Sequence, residues 1–229
     1  MGECLNFGVK RHSQAFKIYM QCATTGDARA MSHLGFQYHE GKGTQRNSKK
    51  AVFWYSRAAR RGEVEAQWNL ALCYFNGDGI TRNQRTAFSW LKRAASRGHP
   101  ESQRKLAECY LSGYGTRVDR KSCFHWLKKA AENGIVGAQN DLGLHYAKGI
   151  GIRSNKRKAL LWYRRAATKG EPTAMLNLAE WYLAGFYVRK SIVKAKSLLM
   201  KSMQLGCKEA KHLLHQLKKR RVVPTVPAN

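Results

Sequence analysis

Apolar residues recur along this chain at helical spacing, in pairs of short stretches separated by glycines. In one such pair, Ala66, Leu70 and Tyr74 lie four residues apart. In the stretch that follows, Trp90 and Ala94 are also four residues apart. Residues at this spacing share one face of an α-helix, so the pattern predicts two amphipathic helices in succession.

This pattern repeats with a period of 36 residues and no insertion. The recurring leucines are Leu34, Leu70, Leu106, Leu142 and Leu178, and the recurring tyrosines are Tyr38, Tyr74, Tyr110, Tyr146 and Tyr182. A fixed period of this length is typical of repeat architectures, in which each unit buries its apolar face against its neighbours. Five units are therefore predicted, over residues 27–62, 63–98, 99–134, 135–170 and 171–206.

Glycines and capping residues mark the predicted helix ends. A G-x-G sequence, such as Gly77 and Gly79, is expected to break the first helix of a unit. A closing glycine, such as Gly98, is expected to adopt the left-handed conformation that ends the second helix. A polar side chain between them is placed to cap the second helix; these residues are Asn47, Asn83, Asp119, Asn155 and Ser191.

Partial units flank the five repeats. Residues 1–26 carry apolar residues in the second-helix positions, which predicts an N-terminal half-repeat cap. Residues 207–221 carry Ala210 and Leu214 in the first-helix positions, which predicts a C-terminal capping helix. The last eight residues, 222–229, include two prolines and are expected to form a loose tail. All of these parts are predicted to form one structural domain.

The combined pattern resembles the Sel-1-like repeat, a relative of the tetratricopeptide repeat. The fourth unit carries the pattern most completely, in Ala138, Leu142, Gly143, Tyr146, Gly149, Gly151, Lys158, Ala159, Trp162, Tyr163, Arg165, Ala166, Ala167 and Gly170. The fifth departs from it, with Tyr187 for the second glycine, Leu198 for tryptophan, and Ser202 and Met203 for the alanine pair. Such drift is expected near the end of an array, where there are fewer neighbours.

The resemblance implies an all-α fold, a right-handed α-α superhelix (solenoid) of 36-residue helix-turn-helix repeats. It also implies that first helices line a concave surface and second helices a convex one. The function that this implies is that of a protein-protein interaction scaffold, or adaptor, which holds a protein or peptide partner in the concave groove. A fold alone does not define a binding site, which depends on the particular residues of the groove.

Two columns of first-helix residues are candidates for that groove. One precedes each recurring leucine and consists of His33, Asn69, Lys105, Asp141 and Asn177. The other consists of Gln37, Cys73, Cys109, His145 and Trp181. Their side chains differ from unit to unit, as a surface that reads a specific peptide requires. The alternative is that they are merely solvated or partly packed.

The net charge of +28 on 229 residues is not a property of this repeat pattern. Cations concentrate in the inter-helix loops and second helices, so the convex side is expected to be a positive band. One column of it recurs every 36 residues, as Arg57, Arg93, Lys129, Arg165 and Lys201. It could bind a polyanion, meaning nucleic acid, an acidic protein or an anionic membrane, in a salt-dependent way. Alternatively, the stems of these side chains cover apolar surface between repeats.

No catalytic constellation stands out, so the chain is predicted not to be an enzyme and to need no cofactor or metal. His212 and His215, three residues apart, form the one histidine pair that could bridge a metal, and they lack further ligands. The six cysteines show no metal-type spacing or close pairing and are interpreted as reduced thiols. Cys73 and Cys109 precede a recurring tyrosine, a placement that suits helix packing.

The sequence favours an intracellular, cytoplasmic protein, because it has no apolar run that could span a membrane and no secretory signal pattern. The basic residues 218–221 resemble a nuclear-import patch, which would apply only in a eukaryotic cell. Asn6 stands where the myristoylation pattern requires serine or threonine, which argues against acylation of Gly2.

Overall fold

The chain folds into helices that follow the predicted repeat. The computed structural model describes residues 2–219, and the side chains of residues 12–217. Its helices are α1 (Gly2–Thr24), α2 (Ala28–Glu40), α3 (Ser48–Arg60), α4 (Val64–Asn76), α5 (Gln84–Ser96), α6 (Pro100–Ser112), α7 (Arg120–Glu132), α8 (Val136–Lys148), α9 (Lys156–Thr168), α10 (Pro172–Ala184), α11 (Ile192–Gln204) and α12 (Lys208–Lys219). The described residues contain no strand. The predicted all-α solenoid of 36-residue helix pairs is confirmed.

The helices form two compact units. Unit one, Met1–Asp119, contains α1 to α6, and unit two, Arg120–Asn229, contains the rest. Within each unit, a helix packs on those before and after it in the chain, the arrangement of stacked helix pairs. The core of unit one includes Leu34, Ala58 and Leu70, whereas Ala195 and Leu199 lie in that of unit two.

The helix ends form as the sequence predicts. The side-chain oxygens of Asn47, Asn83, Asn155 and Ser191 each accept a hydrogen bond from the backbone N–H three residues later, at 2.9–3.3 Å. The backbone N–H of the capping residue donates to the carbonyl of the recurring tyrosine, as from Asn83 to Tyr74 at 2.9 Å. These paired bonds fix the loop between the two helices of a repeat.

The second glycine of G-x-G has a packing role that the sequence alone does not reveal. Gly115 has φ +70°, and a Cβ built there would overlap the carbonyl oxygen of Gln84, at the start of α5. Gly151 stands in the same relation to Arg120. The loop of one repeat therefore lies directly against the preceding second helix. Tyr187 takes this position in the fifth repeat and is the one described non-glycine residue with positive φ, at 57°.

Side-chain size is matched between the two helices of each repeat. Gly143, one residue after the recurring leucine, faces the ring of buried Tyr163, and Gly35 faces Tyr55 in the same way. In the other three repeats, alanine replaces this glycine and leucine replaces this tyrosine. The pairs are Ala71 with Leu91, Ala107 with Leu127, and Ala179 with Leu199. A bulky ring is thus accommodated only where no Cβ opposes it.

Successive repeats are joined by a recurrent polar bridge and by aromatic pairs. The amides of Gln67 and Gln139 donate to the carbonyls of Ala59 and Ala131, at 3.2 and 3.0 Å, on the preceding second helix. Edge-to-face pairs at 5.3 Å link a phenylalanine to the next recurring tyrosine: Phe16 to Tyr38, Phe88 to Tyr110, and Phe124 to Tyr146. Both contacts fix the position of one repeat on the next.

The terminal helices cover the ends of the two units. In unit one, α1 contributes Phe16 and the buried Ala23 to the core formed with α2. In unit two, α12 buries Ala210 and Leu214 against α11. The predicted tail, residues 222–229, lies outside the described residues, as do Arg220 and Arg221 of the basic run.

Candidate functional site

The solvent-facing side of the first helices is the first candidate surface. Its positions are spaced four, three and four residues apart, which places them on one side of a helix. In unit one, this first-helix face consists of Arg29, His33, Phe36 and Glu40; Glu65, Asn69, Leu72 and Asn76; and Glu101, Lys105, Glu108 and Ser112. Its counterpart in unit two consists of Gly137, Asp141, Leu144 and Lys148, followed by Thr173, Asn177, Glu180 and Ala184.

The column that precedes each recurring leucine lies on these faces. His33 is exposed, and Asn69, Lys105, Asp141 and Asn177 are half-exposed. Some members already have partners within the chain. The ring of His33 stacks on that of Tyr19, with centroids 4.9 Å apart, and the Asn177 amide donates to Asn140 at 2.9 Å.

The second predicted column does not lie on the surface. Gln37, Cys73, Cys109 and His145 are at most 6% exposed, so the expectation of exposed groove residues is wrong for them. The reason is angular, because each residue turns the helix by about 100°, and three residues return to within roughly 60° of the buried leucine. The burial of Cys73 and Cys109 instead agrees with the packing role proposed for them.

His145 occupies a closed environment rather than a binding surface. Its Nδ1 lies 3.1 Å from the carbonyl oxygen of Ile150, and its Nε2 lies 4.0 Å from the sulfur of Cys123. Burial lowers the pKa of His145, although the Ile150 carbonyl and the charge of Asp141 both favour the protonated ring. This residue therefore joins α8 to its following loop and to α7.

Trp181 is the accessible member of that column. It is half-buried, with its ring edge-to-face against Tyr163 at 5.5 Å and 5.8 Å from the ring of Tyr187. An accessible aromatic side chain of this kind can contribute to recognition. It is placed beside the loop of the fifth repeat.

The column that sequence reasoning missed lies two residues after each recurring leucine. Its members are Phe36, Leu72, Glu108, Leu144 and Glu180. Phe36 is 41% exposed, and beside it a cavity of about 190 Å³ is lined by residues that include Asn69, Leu72 and Asp78. At about 200° from the leucine, this column faces away from the core. Counting turns from the leucine would have found it.

Acidic groups surround this cavity in unit one. The Asp78 carboxylate lies 2.9 Å from Nε2 of His39 and 3.9 Å from the Arg46 guanidinium. A hydrogen bond from Ser48, a further hydrogen bond with His39 and the electrostatic attraction of His39 and Arg46 hold the pKa of Asp78 below its ordinary value. Asp78 is therefore ionised at neutral pH. With Glu40, it gives the cavity an acidic wall.

The predicted cation column is exposed, and its contacts are with its own helices. Arg57, Arg93, Lys129 and Arg165 each lie over the ring of the tryptophan three residues earlier, at 5.7, 4.6, 4.8 and 5.0 Å. Lys201 has Leu198 in that place. These contacts agree with the interpretation in which the side-chain stems cover apolar surface. They leave the charged heads at the surface.

A second basic feature lies at the inter-helix loops of unit one. Arg82, Arg85 and Arg117 line a cavity of about 790 Å³ together with Gly113, Gly115 and the first residues of α5. None of its lining residues is acidic. Three guanidinium groups beside the positive end of a helix dipole make this the most cationic concave surface among the cavities of unit one described here.

The histidine and cysteine side chains are dispersed over the described helices. These residues hold no group of three or more histidine, cysteine, aspartate or glutamate side chains placed to bind a metal. His212 and His215 are exposed on α12, and Nε2 of His212 lies 2.8 Å from the Gln216 amide nitrogen. The described cysteines, Cys22, Cys73, Cys109, Cys123 and Cys207, are free thiols. Among the helices described, none has the length and apolarity to cross a membrane.

Comparison with known proteins identifies the repeat. The Sel1 repeat family matches residues 28–63, 64–99, 100–135, 136–171 and 172–207. A Sel1 repeat protein of known structure from Oxalobacter formigenes is 29% identical with a TM-score of 0.86, over 97% of this chain and 88% of that one. The protective antigen c5321 of uropathogenic Escherichia coli, described as displaying an SLR fold, is 28% identical with a TM-score of 0.59, over 92% of this chain and 53% of that one. No curated protein sequence matches the chain.

Proposed function

Because the chain belongs to the Sel1 repeat family, whose members generally act as protein-interaction scaffolds, we propose that it is a non-catalytic adaptor that holds a partner segment on the first-helix face. The observation that carries this proposal is Phe36, an exposed aromatic side chain beside a cavity with apolar and polar walls. Exposed aromatic residues next to a pocket are the usual anchors of protein interfaces.

The chemistry of the cavity supports a particular kind of partner segment. Leu72 offers an apolar contact, Asn69 and Asn76 offer amide groups, and Asp78 with Glu40 supplies negative charge. A peptide that carries one apolar side chain flanked by lysine or arginine complements this set. The Arg46 guanidinium already lies 3.9 Å from the Asp78 carboxylate and offsets part of this negative charge, so a basic side chain of the partner would compete with Arg46 for it.

The test is selection of peptides from a random library displayed on phage, followed by calorimetry of the selected sequences with the full chain. Phe36→Ala should weaken binding by about tenfold, the usual loss at an aromatic anchor. Phe53→Ala is the matched control, because Phe53 is 51% exposed on a second helix of the same unit. Equal effects of the two substitutions, or selected peptides without basic residues, would contradict the proposal.

A second candidate function is polyanion binding, which the three-arginine cavity of unit one favours. Its test is fluorescence anisotropy of a labelled single-stranded RNA across a range of salt concentrations. Reversing Arg82, Arg85 and Arg117 should reduce the slope of log affinity against log salt by about 2, if each contacts a phosphate. Reversal of the predicted column, Arg57, Arg93, Lys129 and Arg165, provides the comparison. Binding that neither set alters would rule out both basic surfaces.

A further inference from the structure

A cavity of about 470 Å³ lies where α9, α10 and α11 meet in unit two. Its apolar wall includes the buried side chains of Met175 and Leu178. Arg164, Lys194 and Lys201 also line it, and none of the residues that line it is acidic. A concave apolar surface with a few convergent charged groups has the general character of a small-ligand site.

The cavity lies at the place where the fifth repeat lacks its tryptophan. Leu198 stands in that column, whereas the other repeats have Trp54, Trp90, Trp126 and Trp162. Trp162 shows what that ring does in the same unit, because it is only 9% exposed. The leucine side chain is smaller than that of tryptophan by about six non-hydrogen atoms, and Leu198 lines the cavity directly. Part of the space therefore corresponds to the larger side chain that the other repeats supply at this position.

The cation that accompanies that tryptophan is still present. In each of the other four repeats, the arginine or lysine three residues later lies over the indole ring, as Arg165 does over Trp162 at 5.0 Å. Lys201 occupies the equivalent position and faces the cavity instead. An aromatic ring entering from solution would thus find a ready-made cation–π partner.

We propose that this cavity binds an aromatic carboxylate, whose ring occupies the space of the missing indole and whose carboxylate pairs with Arg164, Lys194 or Lys201. The excess of positive charge favours an anionic ligand, and the apolar wall favours one with an aromatic ring or another apolar group. Two sources offer this chemistry: a free aromatic acid, and the C-terminal residue of a protein that ends in an aromatic amino acid. This site is separate from the first-helix face and does not depend on the function proposed for it.

The first experiment is titration calorimetry of the full chain with indole-3-acetate. A dissociation constant of about 1 mM is expected for a ligand of this size. The neutral 3-methylindole should bind at least about fivefold more weakly, because it lacks the charge that Lys201 and its neighbours recognise. Absence of indole-3-acetate binding, or equal affinity for the two compounds, overturns the proposal.

Two variants locate the site. Leu198→Trp restores the residue of the other repeats and should fill the cavity, so indole-3-acetate affinity should fall by about tenfold or more while far-UV circular dichroism is unchanged. Lys201→Gln should weaken the acid several-fold and 3-methylindole by a smaller factor, because the neutral compound loses only the contact between the cation and its ring. Arg93→Gln is the matched control, since Arg93 lies over Trp90 at 4.6 Å, and it should change neither affinity. Unaltered binding by Leu198→Trp would place the ligand elsewhere and refute the proposal.

A peptide comparison separates the two sources. Gly-Gly-Trp with a free carboxylate and the same peptide with a C-terminal amide are titrated under identical conditions. Tighter binding of the free-acid peptide than of indole-3-acetate supports recognition of a protein C-terminus. Binding of indole-3-acetate without binding of either peptide supports a small-molecule ligand. Equal binding of the acid and amide peptides would mean that the cations play no part, which overturns the proposed recognition.

Discussion

The packing of Gly143 against Tyr163 predicts that Gly143→Ala destabilises the protein when residue 163 is tyrosine and stabilises it when residue 163 is leucine. A Cβ at Gly143 would lie 2.7 Å from Cδ1 and 2.8 Å from Cε1 of the Tyr163 ring. Carbon atoms pack favourably at about 3.5–4.0 Å, so the ring would have to move by roughly 1 Å. That ring is 2% exposed and abuts Trp181 edge-on, which leaves it little freedom to move.

The magnitude follows from two opposing effects. Replacing a glycine by alanine within a helix stabilises it by about 1 kcal/mol, whereas overpacking a core costs about 1–3 kcal/mol. Gly143→Ala should therefore lower the free energy of unfolding by about 1 kcal/mol. In the Tyr163→Leu background, the overpacking disappears and the same substitution should raise that free energy by about 1 kcal/mol. The coupling between the two positions is then about 2 kcal/mol.

Urea denaturation followed by circular dichroism at 222 nm measures all four members of this cycle. The double variant recreates the alanine and leucine pair found in three other repeats, so it should fold normally. Additive effects, with Gly143→Ala destabilising both backgrounds equally, would refute the reasoning. They would show that the glycine is required by the backbone rather than by the ring.

Three further predictions rest on other contacts. Gly115→Ala should destabilise the chain by about 3 kcal/mol, because its Cβ would overlap the Gln84 carbonyl. Gly98→Ala has no atom within 4 Å of the added carbon and should cost only about 1 kcal/mol, for its positive φ. Equal losses of stability in thermal melts of the two variants would contradict this. Tyr187→Gly should stabilise by about 0.5–1 kcal/mol by relieving a left-handed backbone, and a lower melting temperature would contradict it. Burial lowers the folded-state pKa of His145 below its unfolded value, near 6.5, so the neutral ring contributes stability at higher pH that is lost as the pH falls through the folded-state pKa. His145→Gln should therefore flatten the dependence of the urea midpoint on pH between about pH 7 and 5, and an unchanged dependence would refute the assignment.

The repeat and its helices could be predicted because each depends on local chemistry. A glycine such as Gly77 and a cap such as Asn83 act on their own neighbouring backbone groups, and the sequence reveals both directly. The pairing of Gly143 with Tyr163 joins residues 20 positions apart, and the sequence shows only that each position varies. Packing between helices couples such choices, so the reason for each appears only in three dimensions.

The candidate site was predicted in part for a similar reason. The column of Asn69 lies on the first-helix face, but that of Cys73 is buried, because helical geometry places it within about 60° of the recurring leucine. Phe36 was missed since an apolar residue next to a core position resembles another core residue. Exposure, rather than residue type, distinguishes the two.

The departures of the fifth repeat show how drift can be separated from a site. Ser202 replaces an alanine, yet it is fully buried and its hydroxyl donates to the Pro172 carbonyl at 2.7 Å, so the change is compensated within the chain. Leu198 packs against the core of unit two, but it also lines a cavity beside Lys201. A substitution absorbed by its neighbours needs no ligand to explain it. One that leaves apolar space and unopposed positive charge is better stabilised by a molecule that supplies both the ring and the carboxylate.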